Sequence, residues 1–472
     1  MKINGKHTLL VATAAALSLS ACSSEEVEGP NVPVADGGIS FSVGLNDDAA
    51  EQGPRSRAMA ADTRPDNYII DKNNFATVCP FFRIQICRNN GGTWENLPTT
   101  WLNHFNSGWH LAIVADNASE NAKNNRQYLP SDFLSNQEFW NESETNFYAM
   151  AGFANEFRWE GIPKIEYIDG NRGWGVKNVE FWNSYPVDFL WTFRQEKRTA
   201  AEWETKGNVN LVFNHAMSRL NFKFKNTNKN IKVEVRDVYV ANIYRCATFS
   251  IDKAKDLYMN GNFRQDMPAN HGSVDASNLG NIWSDYKLKW KADLRSGMNT
   301  IVLNGVTTDE QTATSPLGGN YTLLVIPQTV GRWDPSNTTH TGVARNTEYA
   351  GYDNRHNMNN NVPGYLVINC KITDVNTGLV LWESTNRDGN QGAHQEDGVY
   401  NTDYEHLNGV IIPLTPQGQD SYTWLPSRSY TYHVVFGEGA GWDDNGNPTL
   451  VPISIYATVA PFNEVPVYLP AN

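Results

Sequence analysis

Residues 38–45, GISFSVGL, alternate apolar and polar positions strictly, so that Ile39, Phe41, Val43 and Leu45 share one face. That period of two predicts a strand buried on one side. The habit recurs at Phe81–Arg88, where Phe82, Ile84 and Ile86 point one way, and at Asn146–Phe153 and Val187–Phe193. In the second half it returns at Lys232–Ile243, Tyr321–Ile326, Gly364–Thr373, Val410–Leu414, Tyr430–Phe436 and Pro452–Ala460. Helical periodicity is scarce, and Thr199–Lys206 is a candidate for only a turn or two. Trp333–Pro363 and Ser384–Asn408 are rich in polar and turn-forming residues and read as loops or local insertions. Short strands separated by turn signals predict an all-β protein built of sandwiches.

One stretch breaks the alternation. In NLVFNHAMSRLNFKFKN, Asn210–Asn226, the residues Leu211, Phe213, His215 and Met217 share one parity, and Leu220, Phe222 and Phe224 share the other. A strand keeps one face buried across such a flip only if it kinks or takes in an extra residue. His215, Ser218 and Arg219 sit at the flip. A nucleophile needs a base in reach and a third group to orient that base. No carboxylate lies between Asn210 and Asn226, so the cluster reads as a bend, with His215 bonding across a sheet and Arg219 at an edge.

The N-terminus carries its own pattern. Lys2 and Lys6 precede a short apolar run, Thr8–Leu19, which is too short for a spanning helix and reads as a signal peptide. It ends Leu19-Ser20-Ala21-Cys22, resembling the lipobox of bacterial lipoproteins, which implies cleavage before Cys22 and its lipidation. Glu25 and Glu26 follow, resembling a surface-export signal of such lipoproteins. Losing residues 1–21 makes the chain two charges more negative than the −13 of the full sequence. An acidic balance excludes the electrostatic footprint of a nucleic-acid binder. The 472 residues suffice for two or three domains. Cys79 and Cys87, if on one strand, stand roughly 26 Å apart, beyond disulfide reach; a break at Pro80 leaves their pairing open.

Candidate chemistry is sparse. The 10 histidines form no metal-binding pair, and no phosphate loop or nucleophile elbow is present. We expect no catalytic residues, no metal site and no cofactor. Asp443–Pro448 resembles the start of a calcium loop but has Pro448 at the glycine position and Ser454 at the closing glutamate, so a hairpin turn is expected. The 15 tryptophans suit sandwich packing, and an exposed subset would suit stacking on sugars.

Phe213-Asn-His215-Ala216-Met-Ser-Arg219-Leu220-Asn-Phe222, together with the lipobox at Cys22, the early strand Ile39–Leu45 and Arg57-Ala58, resembles the fimbrillin family of Bacteroidales lipoproteins, type V pilin-like proteins. Leu324–Gln328, Ile412–Leu414, Trp424 ahead of Tyr430–Tyr432 and the last strand Ile453–Val459 fit in the family's order. The resemblance implies two transthyretin-like β-sandwich domains in tandem with long loop insertions. After the signal peptide (1–21) and a tether (22–37), these would be residues 38–206 and 207–472. It implies a fimbrial subunit or fimbria-associated adhesin, exported as an outer-membrane lipoprotein and displayed at the cell surface in a fimbrium. Its partners would be other fimbrial subunits, of the same or another kind, the outer membrane through the lipid anchor, and a host or bacterial surface ligand. Assembly in the family follows a cut after an arginine and loss of the first strand, here Ile39, Phe41, Val43 and Leu45. Arg55 and Arg57 are the candidate cut sites; Arg64 is third because Pro65 follows it. The tail residues Val465, Val467 and Leu469 share a face as a donor strand should, but Pro466 and Pro470 withhold their N–H groups from one common edge. A tip or accessory position is therefore as compatible as a stalk position. The alternative reading is a glycan-binding cell-surface lipoprotein. Burying the four side chains of the first strand contributes on the order of 6–12 kcal/mol gross, so its loss leaves a groove that favours assembly. N-terminal sequencing of surface-shed protein is expected to find chains beginning after Arg55 or Arg57; only chains that begin at Cys22 would count against the cut.

Overall fold

The computed structural model describes residues 39, 41–45, 81–96, 100–105, 108–112, 140–152, 164–180, 188–203, 209–258, 276–292, 298–314, 320, 322–334, 336–337, 363–384, 409–438 and 453–461. The fold is all-β, as the alternation requires. Sheet one has the order β1 (Phe41–Leu45), β10 (Val209–His215), β9 (Leu190–Glu196), β6 (Glu144–Ala151), β2 (Phe81–Asn90), β4 (Thr100–Phe105), β5 (Gly108–Ala112), with β3 (Thr93–Asn96) also on β2. β1 runs parallel to β10, while the other neighbours are antiparallel. Sheet two runs β15 (Gln311–Thr312), β11 (Ser218–Asn226), β22 (Arg428–Phe436), β23 (Ile453–Pro461), with β16 (Thr322–Val325) pairing β11 ahead of β15.

Sheet three is organised by β12 (Ile231–Ser250), a strand of 20 residues. β18 (Tyr365–Asp374) and then β8 (Gly173–Glu180) follow one edge of it, and β14 (Ile301–Asn304) and β13 (Trp283–Ala292) follow the other. β7 (Ile165–Asp169) lies outside β8, and β19 (Val380–Glu383) and β20 (Val410–Pro413) lie outside β18. β17 (Thr329–Gly331) and β21 (Ser421–Thr423) form a separate ribbon. Two short helices, α1 (Ile251–Tyr258) and α2 (Leu279–Ile282), sit beside the end of β12 and the start of β13. The turn expected at Thr199–Lys206 is a 3-10 turn at Ala200–Glu202, closed by a capping box between Thr199 and Glu202. Lys206, where a domain border was expected, lies outside the described residues, as does the Asp443–Pro448 turn.

Three apolar clusters hold these layers. Sheet two packs on the first half of sheet three, burying Leu220, Phe222 and Phe224 against Val233, Val235 and Val238. Here the indole N–H of Trp424 donates to the Tyr432 hydroxyl at 2.8 Å, so neither polar group is left unmet. A second cluster lies between one face of sheet one and β8, the end of β12 and both helices, with Tyr148, Met150, Trp191, Phe249 and Trp283. The third fills the other face of sheet one with Phe82, Ile84, Ile86, Phe147, Leu211 and Phe213. The sheet curls around this third cluster until β1 and β5 come within 8 Å by Cα. Trp191, Trp283, Trp333 and Trp424 are fully buried, the packing role expected of tryptophan in sandwiches. Cys87, Cys246 and Cys370 are buried free thiols, and burial pushes the Cys370 thiol up to about 12; Cys79 lies outside the described residues.

On the outer face of sheet two, His433 donates from Nδ1 to the Glu310 carboxylate at 2.8 Å and stacks on Tyr456, ring centroids 4.4 Å apart. The Tyr456 hydroxyl also donates to Glu310, at 2.9 Å. Burial acts to raise the Glu310 carboxyl, but the hydrogen bonds from His433 and Tyr456 outweigh it and hold the group below its ordinary 4.5. A carboxyl depressed on folding contributes stability that is present above its unfolded value and fades as pH falls through its folded value. Wild type is therefore expected to exceed Glu310→Gln in urea unfolding at about pH 6, with the margin shrinking below about pH 4.5.

Candidate functional site

The phase flip at Met217–Leu220 is the point where the chain changes sheets. β10 ends at His215 in sheet one, and β11 begins at Ser218 in sheet two. Val209, Leu211 and Phe213 face the third cluster; Leu220, Phe222 and Phe224 face the first; Ala216 and Met217, between them, are buried in the second. A strand leaving one core for another on its opposite side must change which parity is apolar.

The backbone at this joint is bonded on all sides. The Ala216 N–H donates to the Phe189 carbonyl at 2.8 Å, and the Ser427 N–H donates to the Met217 carbonyl at 3.0 Å. The Ser427 hydroxyl donates to the His215 carbonyl, and the Trp283 indole N–H reaches the Ala216 carbonyl at 3.2 Å. Ser427 holds φ at 56°, a left-handed conformation uncommon for a side-chain-bearing residue.

His215 itself bonds from Nδ1 to Asp188 Oδ1 at 2.9 Å, across to the start of the neighbouring strand β9, with both side chains buried. Gly152 packs against the Asp188 backbone at φ +93°, where an added Cβ would come 1.8 Å from the Asp188 carbonyl oxygen. Ser218 turns away from the imidazole and donates to the Leu425 carbonyl at 3.0 Å. Burial lowers the Arg219 guanidinium to about 10 against the opposing charge of Asp188, so it remains charged at neutral pH. The pair His215–Asp188 thus orients a joint. Sequence reasoning missed Asp188, which is 27 residues from its partner.

The other sequence-predicted residues divide as follows. β1 is the edge strand next to β10, in register Phe41↔Val209, Val43↔Leu211 and Leu45↔Phe213. Ile39 and Phe41 are each 6% exposed, and Phe41 meets Phe147 edge-on at 5.6 Å between centroids. Val43 and Leu45 are placed by the backbone of β1. Cys22, Arg55, Arg57, Val465, Val467 and Leu469 lie outside the described residues, as does Arg64. Among the described residues no group of His, Cys, Asp and Glu is arranged to hold a metal ion, and no helix is long and apolar enough to cross a membrane.

The described residues thus form an all-β protein of packed curled sheets, with β1 at an edge and His215, Ser218 and Arg219 committed to a strand joint. The chain belongs to the fimbrillin-like family, whose model matches residues 99–365. No curated protein matches it by sequence. Solved structures similar to it include a candidate cell adhesion protein from Bacteroides eggerthii, 10% identical with TM-score 0.35, covering 92% of this chain and 99% of that one. Another, from Parabacteroides distasonis, is 10% identical with TM-score 0.35, covering 91% and 99%. The tip fimbrial protein Mfa3 of Porphyromonas gingivalis, with a C-terminal truncation, is 9% identical with TM-score 0.26, covering 82% and 96%.

His215→Ala takes one hydrogen-bond partner from the buried Asp188 carboxylate, which keeps the opposing charge of Arg219, and is expected to cost about 2 kcal/mol. Gly152→Ala is expected to cost more than about 1 kcal/mol through backbone strain. Urea unfolding should show lowered midpoints at unchanged slope for both.

Proposed function

We propose that this chain, by family a fimbrial subunit or adhesin that works with other fimbrial subunits at the cell surface, is assembled by strand exchange at the seat of β1. In this reading Cys22 carries the lipid anchor in the outer membrane. A cut at Arg55 or Arg57 frees the segment bearing Ile39, Phe41, Val43 and Leu45, and a strand from another subunit takes its place beside β10. Val465, Val467 and Leu469 are the chain's own candidate donor residues. The role is structural and adhesive rather than catalytic.

The observation that carries this reading is the position of β1. It is an edge strand, joined along its length to β10, while Ile39 and Phe41 reach into the apolar interior of the curled sheet. An edge strand leaves without breaking any other ladder, and its departure uncovers both a row of backbone N–H and C=O groups and an apolar trough. Burial of Ile39 and Phe41 contributes roughly 3–6 kcal/mol gross, which an incoming strand of alternating apolar residues recovers. Pro466 and Pro470 restrict the donor to pairing along one edge, so a tip or accessory place suits the chain as well as a stalk place.

Limited trypsin treatment of the purified protein is expected to yield fibres in electron micrographs. Replacing Arg55 and Arg57 together by Ala should suppress them, and so should removing residues 463–472. Fibres that form equally from uncut protein, or trypsin-cut chains that stay monomeric in the presence of an intact tail, would sink strand exchange.

A further inference from the structure

Sheet one has a cleft on the face opposite to the seat of β1. Its volume is about 380 Å³, within the range of roughly 300–1,000 Å³ usual for small-molecule sites. The floor is Cys87 on β2 with Asn146 and Tyr148 on β6; the β7–β8 turn and α1 form walls, and Trp94 on β3 stands at the rim. Cross-strand register puts Cys87 opposite Asn146 and Asn89 opposite Trp94, so the indole rises from the same sheet face as the floor.

We propose that this cleft binds a neutral saccharide, one sugar ring lying against Trp94 with a hydroxyl donated to Asn146. Three observations converge. Trp94 is 43% exposed while Trp191, Trp283, Trp333 and Trp424 are fully buried. An indole held at a polar rim offers a face to the C–H groups of a sugar ring. Second, Asn146 is only 9% exposed, and its Oδ1 has no hydrogen-bond partner. A buried acceptor left unmet costs free energy that a ligand hydroxyl restores. Its side-chain amide lies beside Tyr148 on the same face of β6.

Third, four of the five charged side chains that line the cleft, Arg172, Asp252, Lys255 and Asp256, are paired, and Lys253 is the fifth. Arg172 bonds Asp169 at 2.7 Å, and also Asp285 and Ser284. Lys255 lies 3.5 Å from Asp252 and 3.3 Å from Asp256, with its ammonium over the Phe193 ring. Asp252 accepts from the Tyr148 hydroxyl and from the Trp174 N–H. These paired side chains neutralise one another, which disfavours a ligand of strong charge. Burial and the nearby Asp252 push the Cys87 thiol up to about 12, leaving it neutral and unreactive. Tyr148 stacks on Trp174 at 5.7 Å, so the floor and wall are preformed.

The inference stands on the cleft alone and holds whether or not strands exchange at β1. The test uses the uncut, monomeric chain on an array of neutral, sialylated and sulfated oligosaccharides, followed by calorimetric titration of the best neutral binder. Retention of neutral saccharides is expected, with affinity weakened at least about tenfold by Trp94→Ala and by Asn146→Ala. Trp94 is exposed, so its variant should keep the wild-type melting temperature even if Asn146→Ala is destabilised. Retention of no neutral saccharide, retention of the charged ones alone, or binding indifferent to Trp94→Ala would overturn the proposal.

Discussion

Everything in this molecule hangs on one strand that must serve two sheets. A strand shows one face to a core, and the segment 209–226 has its core on opposite faces before and after Ala216–Met217. The chain solves this with a sharp transfer, and the transfer exposes backbone groups that a continuous ladder would have paired. Phe189, Ser427 and Trp283 take up those groups, and the His215–Asp188 pair ties the departing end of β10 to the entrance of β9. In the opposite layer β12 continues as one bulged strand, pairing β18 along its first half and β8 at its end. The β10–β11 segment and β12 therefore each contribute side chains to both the first and the second apolar cluster.

Sheet one is buried on both faces, and this division has consequences. Alternate residues of β2 and β6 feed different clusters: Ile86 and Phe147 one way, Cys87 and Tyr148 the other. The cluster that receives Ile39 and Phe41 is closed by the curl of the sheet rather than by a second layer. Stability supplied by the face against β8, β12 and the helices is independent of β1. The proposed loss of β1 would therefore remove none of the side chains of that second core.

Apolar residues at every second position, or in short continuous runs, gave away strands buried on one face or on both. β2, β6, β9, β18, β20, β22 and β23 all fall close to their expected bounds. β1 was legible for the same reason. The second half of β12 was not, because register shifts between Val240 and Ile243 and between Cys246 and Thr248, with Asn242 at φ 58°, erase the period of two. β7 and β8 were missed as well. β7 reads IEYID and buries only Ile165 fully, the mark of an edge hairpin whose pattern is set by its neighbours. α1 is too short to show periodicity, although Ser250, whose hydroxyl accepts the Lys253 N–H, is a recognisable helix start. The cleft was invisible in sequence. Residues near 87–94, 146–148, 170–174 and 252–256 build it, and no local spacing connects them.

The two sites lie back to back on β6, and the alternation of one strand decides how they are related. Phe147 meets Phe41 on one face, while Asn146 and Tyr148 floor the cleft on the other. Replacing β1 changes what Phe147 packs against. It does not touch the groups that position the cleft, since Tyr148 is held by Asp252 and Trp174, both on elements of the far side. Interiors transmit displacement through packed side chains, but β6 is anchored between β2 and β9 along its whole length. A strand supported on both edges resists translation, so the cleft keeps its geometry whichever strand fills the seat. The proposed saccharide site and the proposed strand exchange would therefore use opposite faces of one sheet, and neither requires the other to move.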